Sequence, residues 1–280
     1  MCASSNLSMP GEKLPYAFFV GDFNTGKSAL INALLRRESL AVSREESRAL
    51  PTFLGRGSGN GAFAGVTAAN EAEETSPGDF RGMRQGNGHA QPYVALAAHL
   101  PEVPFSRLVL VDTAGLSSDH ERTLHLHALQ DAQNALFIVV TDIEYWFAKH
   151  TLDFIAEHHE LFGQRLLVVA NKADGLNATE LRRVINKAPR RLKEHGIKPA
   201  PEFFAVSARL EAARGDERNE LRRRVKPTVR ALCDAGFDAL RVRLYEFEAA
   251  HAPAVTTPLE ALTSAPVAAS FLNQHEGAPA

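Results

Sequence analysis

Residues 21–28 read Gly-Asp-Phe-Asn-Thr-Gly-Lys-Ser, and no other stretch of the chain constrains the fold as tightly. The spacing G-x-x-x-x-G-K-[ST] is that of a loop that wraps phosphate groups. Gly21 and Gly26 allow the backbone to turn sharply, so that successive N–H groups point inward at anionic oxygens. Lys27 adds a point charge, and the Ser28 hydroxyl is placed to ligate Mg²⁺. Such a loop works only between a buried strand and a helix. Tyr16 to Val20 is a short apolar run that reads as the strand, and Ala29 to Arg37 reads as the helix, whose N-terminal dipole reaches the same anion.

With 280 residues the chain can hold one large domain or two small ones. Its hydrophobic share of 45% and charged share of 23% are those of a globular protein. A formal net charge of −2 gives no global attraction to nucleic acid or anionic lipid, and no DNA partner is expected. Cys2 and Cys233 are too few for a disulfide framework or a cysteine-rich zinc site, and a reducing cytoplasm is the simplest setting. No apolar run approaches the roughly 20 residues of a membrane-spanning helix.

Further strands follow the loop. Arg107 to Val111, Ala135 to Val140, Leu166 to Ala170 and Phe203 to Val206 are apolar runs alternating with helical patterns at 119–132, around Leu152, Ile155 and Phe162, at 178–195, and at Phe237, Leu240, Leu244 and Phe247. Continuous apolar strands separated by helices predict an α/β fold of three layers, with a mostly parallel central sheet flanked by helices. The segment 55–88 holds nine of the 19 glycines and reads as a mobile insertion, extending to residue 92, with one hairpin. Residues 1–14 read as a flexible leader, 15–250 as the domain, and 251–280 as a flexible tail.

Two motifs sit at strand ends, where ligands bind in open α/β sheets. Asp112-x-x-Gly115 offers a carboxylate that holds Mg²⁺ through a water, and a Gly115 N–H that senses a γ-phosphate. Asn171-Lys172-x-Asp174 selects the base. The Asp174 carboxylate accepts hydrogen bonds from the N1–H and N2–H₂ of guanine, which adenine cannot supply. Asn171 braces the loop, the Lys172 stem covers the base face, and the backbone at Ser207-Ala208-Arg209 is placed to reach guanine O6. Asp22, Phe23, Asn24, Thr25 and Ala29 complete the nucleotide-contacting set.

These motifs, in this order, resemble the translation-factor-related class of P-loop GTPases. Residues 21–35 are similar to the loop and helix of bacterial dynamin-like GTPases, and Asp-Ala-Gly-Phe-Asp-Ala-Leu at 234–240 resembles their closing helix. The resemblance covers about residues 15–248. It implies hydrolysis of GTP to GDP and phosphate, Mg²⁺ as cofactor, and a nucleotide-dependent homodimer or hetero-partner. It also implies an assembly or membrane-remodelling switch, in the cytoplasm or peripheral to the inner membrane through a partner. Two alternatives stand beside it: an Era/TrmE-like ribosome- or RNA-associated GTPase, and a GTP-dependent binding module with little hydrolysis.

Three departures from the pattern shape the expectations. The family's switch threonine corresponds to Thr52 in Pro51-Thr52-Phe53, with Thr67 as the alternative; Thr52 and Lys27 are the expected catalytic residues. Leu116 stands where Ras-like enzymes carry a water-orienting glutamine, so hydrolysis should be slow without dimerisation or a partner. In relatives with that substitution an asparagine at the place of Asn24 helps bind K⁺ beside the phosphates; here Asn24 either does this or only shapes the loop. Finally, the chain ends too soon for the helical stalk and membrane-binding tip that dynamin-like proteins carry.

The remaining features read as structural. Arg222–Arg224, Arg190 and Arg191 are expected on solvated helix faces, His158 and His159 at the surface or in a switch region, and Trp146 and Phe147 in core packing.

Overall fold

The computed structural model describes residues 14–40, 50–57, 62–67, 72–84, 93–113 and 134–251. The helix expected at 119–132 lies outside the described residues, as do Gly115 and Leu116.

Among the described residues, nine strands form one sheet. They are β1 (Tyr16–Val20), β2 (Thr52–Arg56), β3 (Ala62–Thr67), β4 (Ala72–Glu74), β5 (Tyr93–Leu100), β6 (Val109–Asp112), β7 (Ala135–Asp142), β8 (Leu166–Asn171) and β9 (Glu202–Ala205), in the order β4-β3-β5-β2-β6-β1-β7-β8-β9. From β6 to β9 every neighbouring pair is parallel. The described helices are α1 (Lys27–Leu35), α2 (Pro77–Arg84), α3 (Lys149–Phe162), α4 (Ala178–Glu194), α5 (Ala208–Ala212), α6 (Glu220–Arg224) and α7 (Pro227–His251).

The apolar runs behave as doubly covered strands must. Alternate residues point to opposite faces, and both faces of β1, β6, β7 and β8 are buried. Tyr16, Phe18, Val109, Val111, Phe137 and Val168 enter one core with Ile155 of α3 and Leu181 and Leu192 of α4. Phe19, Leu110, Ile138 and Val169 enter the other with Leu30 and Leu34 of α1 and Phe80 of α2.

Helix α7 contributes to both cores, Val229 and Cys233 to the first, Phe237, Leu240, Leu244 and Phe247 to the second. It passes the outer edge of the sheet at β9. There Gly236 packs so closely that a Cβ would stand 2.2 Å from the Ala205 carbonyl oxygen. A helix thus covers an edge strand that would otherwise expose unpaired backbone groups.

The glycine-rich segment extends the sheet. β2 runs antiparallel to β6, with Thr52 opposite Asp112, and β5 runs parallel to β2. β3 and β4 form an antiparallel hairpin at the far edge. Helix α2 then folds back onto the sheet, anchored by Phe80 against Phe63 (ring centroids 5.0 Å apart) and by Met83.

Candidate functional site

Five parallel strands end on the same side of the sheet, and the loops after them converge there. Gly21 follows β1 with φ 150°, and a Cβ on it would lie 2.1 Å from the Val140 carbonyl oxygen of β7. The loop is therefore pressed against the neighbouring strand at a point where only glycine fits. Asn24 and Gly26 adopt left-handed φ values of 61° and 89°, and Thr25 Oγ1 donates to the Asp22 carbonyl at 2.9 Å. Gly26 caps the N-terminus of α1.

Lys27 is buried, and Nζ donates to the Gly21 and Asp22 carbonyls at 2.9 and 3.0 Å. Burial pushes its ammonium below the usual lysine range, opposed by the nearby Asp112 and Asp22 carboxylates. The charge thus sits inside the loop that would cradle the phosphates.

Asn171 is the tie that holds the site together. Its Nδ2 donates to the Thr25 carbonyl of the phosphate loop at 3.0 Å, and its Oδ1 accepts from the Ala208 N–H at 3.0 Å. Both bonds are buried. Asp174 accepts from Ser207 Oγ at 2.5 Å, and Ser207 also caps α5 through the Leu210 N–H. The elements after β8 and β9 that are expected to read the base are therefore locked to each other and to the phosphate loop. Lys172, at φ 66°, is held over this edge by an ion pair with Asp142 at 2.8 Å. Arg209 is exposed, on the first turn of α5.

The expected metal ligands meet at the head of α1. Ser28 Oγ donates to Asp112 Oδ2 at 2.6 Å. The antiparallel pairing of β2 and β6 brings Thr52 opposite Asp112, and both are buried. Thr67 lies on β3, separated from β6 by β5 and β2, about 14 Å across the sheet at ordinary strand spacing. Of the two threonines only Thr52 stands beside Asp112. Asp112 Oδ1 is buried without a hydrogen-bond partner among the described residues. Hydroxyl and carboxylate oxygens with one unsatisfied carboxylate atom suit a hard divalent cation such as Mg²⁺.

Arg84, at the end of α2, joins this cluster. Its Nη1 donates to Thr52 Oγ1 at 2.9 Å, and Nη2 to Asp112 Oδ2 at 2.8 Å, with Ser28 Oγ 3.4 Å away. Its side chain is 5% exposed. Sequence reasoning missed Arg84, because it stands in a glycine-rich segment. The available signal was the spacing Phe80, Met83, Arg84, which places the three on one helical face. Asp142 and His150, the latter 3.8 Å from Asp22, were missed as well. Gly115 lies outside the described residues.

Two expectations need correction. His158 and His159 are buried, because they fall on the inner face of α3 with Ile155 and Phe162; His158 Nδ1 lies 2.6 Å from the Phe154 carbonyl. Arg222 is mostly enclosed, with Nη1 donating to the Leu210 carbonyl at 2.8 Å and an ion pair to Asp234 at 3.0 Å. Trp146 is fully buried, as expected, while Phe147 is 37% exposed.

A parallel sheet with a phosphate loop after its first strand and a guanine-type motif after a later one defines a P-loop nucleotide-binding domain. Residues 18–173 match the model of the dynamin family, and the chain belongs to that family. Dynamin-family proteins are GTPases that generally use Mg²⁺ with GTP. Dynamin-like protein 2 of Campylobacter jejuni subsp. jejuni serotype O:23/36 (strain 81-176) is 27% identical over 192 residues, covering 68% of this chain and 30% of that protein. Two solved structures, described as an oligomerised bacterial dynamin pair that provides a mechanism for long-range sensing and tethering of membranes, share the fold. Their TM-score is 0.59 each, at 18% and 19% identity, over 86% of this chain and 48% and 47% of theirs. The chain therefore spans less than half the length of these relatives. Among the described residues, no helix is long and apolar enough to cross a membrane.

Proposed function

We propose that residues 15–250 form a dynamin-like G domain that binds GTP and hydrolyses it to GDP and phosphate, as a nucleotide-dependent assembly switch. The observation that carries this reading is the double tie of Asn171, which joins the phosphate loop to the base-reading loops as one rigid receptor. Such preorganisation is what nucleotide recognition at two ends requires.

The roles follow from position. The loop amides from Gly21 to Ser28 and the α1 dipole receive the phosphates. Lys27 exchanges its loop carbonyls for the β/γ-oxygens and neutralises charge that develops during in-line attack by water. Ser28, Thr52 and, through a water, Asp112 would hold Mg²⁺, which would supply further charge stabilisation. Asp174 reads the guanine edge, with Ser207 fixing its orientation. Asn24, exposed and left-handed at the loop tip, is positioned to face a second molecule or a monovalent cation. The relatives described as an oligomerised pair tethering membranes support a homodimer or a hetero-partner, with any membrane attachment supplied through that partner.

The test is GTP turnover by the wild type and Asn24→Ala, in potassium and in sodium, over a range of protein concentrations. Slow turnover that rises with concentration and is faster in potassium, the potassium effect being lost in Asn24→Ala, is expected. Equal rates in both salts would remove the cation role of Asn24. No turnover at any concentration would leave a binding module.

A further inference from the structure

The guanidinium of Arg84 contacts the three residues that would hold the metal. Nη2 is 2.8 Å from Asp112 Oδ2 and 3.4 Å from Ser28 Oγ, and Nη1 is 2.9 Å from Thr52 Oγ1. A buried carboxylate needs a cationic partner, and the pair is costly to break when nothing replaces the lost partner. A metal held by these residues would supply that replacement. Two cations crowded onto one small cluster would repel at short range in a site screened from water.

We propose that Arg84 is a built-in counter-ion of the magnesium site. In the nucleotide-free protein it holds Asp112, Ser28 and Thr52 together, and the incoming metal–nucleotide complex displaces it. The inference rests on the assignment of those three residues to Mg²⁺. It has two consequences. The metal alone gains little from this site, because the residues that would hold it already have a cation; it enters with a nucleotide, whose phosphates add ligands and charge. Displacement of Arg84 also pulls on the last turn of α2, whose Phe80 and Met83 are packed in the core beside Phe63. Loading is thereby felt by the helix and by the β3–β4 hairpin it covers, a segment far from the base-reading loops. Arg84 acts through Asp112 and Thr52, and is a positioning residue.

The experiment measures GDP affinity in magnesium and in EDTA for the wild type, Arg84→Gln and Arg84→Lys. Without metal, the glutamine variant leaves Asp112 bare beside the phosphates and binds GDP poorly; with metal, nothing has to be displaced. The ratio of the two affinities should therefore be at least about tenfold larger in Arg84→Gln than in the wild type, with Arg84→Lys close to the wild type. An equal ratio in the wild type and Arg84→Gln overturns the inference while leaving the nucleotide reading intact. A wild type that binds GDP in neither buffer removes both. If Arg84→Gln does not fold, thermal melting of the nucleotide-free wild type decides: an unchanged melting temperature on adding millimolar magnesium chloride supports the inference, and a rise overturns it.

Discussion

Gly21 and Gly26 look alike in the motif, but they fail in different ways when changed. A Cβ at Gly21 would stand 2.1 Å from the main-chain oxygen of Val140, which is fixed in the centre of the sheet. A Cβ at Gly26 would stand 2.4 Å from Asn171 Nδ2, a side-chain atom that can swing away, but only by releasing the Thr25 carbonyl. The left-handed backbone of Gly26 adds a strain of about 1–2 kcal/mol for any other residue. Gly21→Ala should therefore destabilise the whole fold by about 2–4 kcal/mol. Gly26→Ala should fold with a smaller loss and bind GDP at least about 100-fold more weakly. Paired melting and binding measurements check this; equal losses of stability in the two variants would refute it. At this scale the legible residues were those of local motifs: Lys27, Ser28, Asp112, Asn171 and Asp174 could be placed from spacing alone. Arg84 could not, because its partners are 32, 56 and 28 positions away and are brought to it only by the antiparallel pairing of β2 with β6.

Helix α7 shows how an element can be read correctly while its purpose is missed. The stripe Phe237, Leu240, Leu244 and Phe247 was visible in the sequence, and all four residues are buried. The passage across the β9 edge was not visible, because it depends on Gly236, which looks like a flaw in a helix. Replacing it with alanine would gain up to about 1 kcal/mol of helix propensity. The new Cβ would collide with the Ala205 carbonyl at 2.2 Å, and neither backbone can yield without lifting α7 from the sheet. Overpacking of that kind costs about 1–3 kcal/mol, so the collision wins. Gly236→Ala is expected to lower stability by a net 1–2 kcal/mol or so, read from denaturant melts at constant m-value. An unchanged or raised midpoint would show that the helix can move off the edge freely. The glycine-rich stretch carries the opposite lesson. β3 and β4 have little apolar alternation, and β4 is three residues long with Glu73 and Glu74 exposed. β3 forms because β5 offers a partner, and β4 because β3 does, a tertiary cause that local pattern does not record.

Across the whole molecule, the sheet divides into a legible half and a hidden half. β1, β6, β7 and β8 are apolar on both faces and run parallel with β9, and all five but β7 end in a motif, so alternation with helices was enough to assemble them. The flank β2, β5, β3 and β4 reverses direction at β2 and had to be seen. The two halves meet at the candidate nucleotide site, since Asp112 ends β6 of the first and Thr52 begins β2 of the second. A ligand there bridges elements that no covalent neighbourhood joins, and should stabilise the fold as one unit. A ligand at 100 times its Kd adds about 2.7 kcal/mol to the folded state. For a domain of this size that corresponds to a rise of about 5–11 °C in melting temperature. GDP with magnesium should produce this shift, and ATP at the same concentration should not, because adenine lacks the two donors that the Asp174 carboxylate would accept. Asp174→Ala should lose most of the GDP shift at the same ligand concentration, while its melting temperature without nucleotide changes little, since the bond lost is a single one to Ser207. An equal shift with ATP, or a full GDP shift in Asp174→Ala, would mean that the base is read elsewhere and that the loops after β8 and β9 serve only to hold the phosphate loop in place.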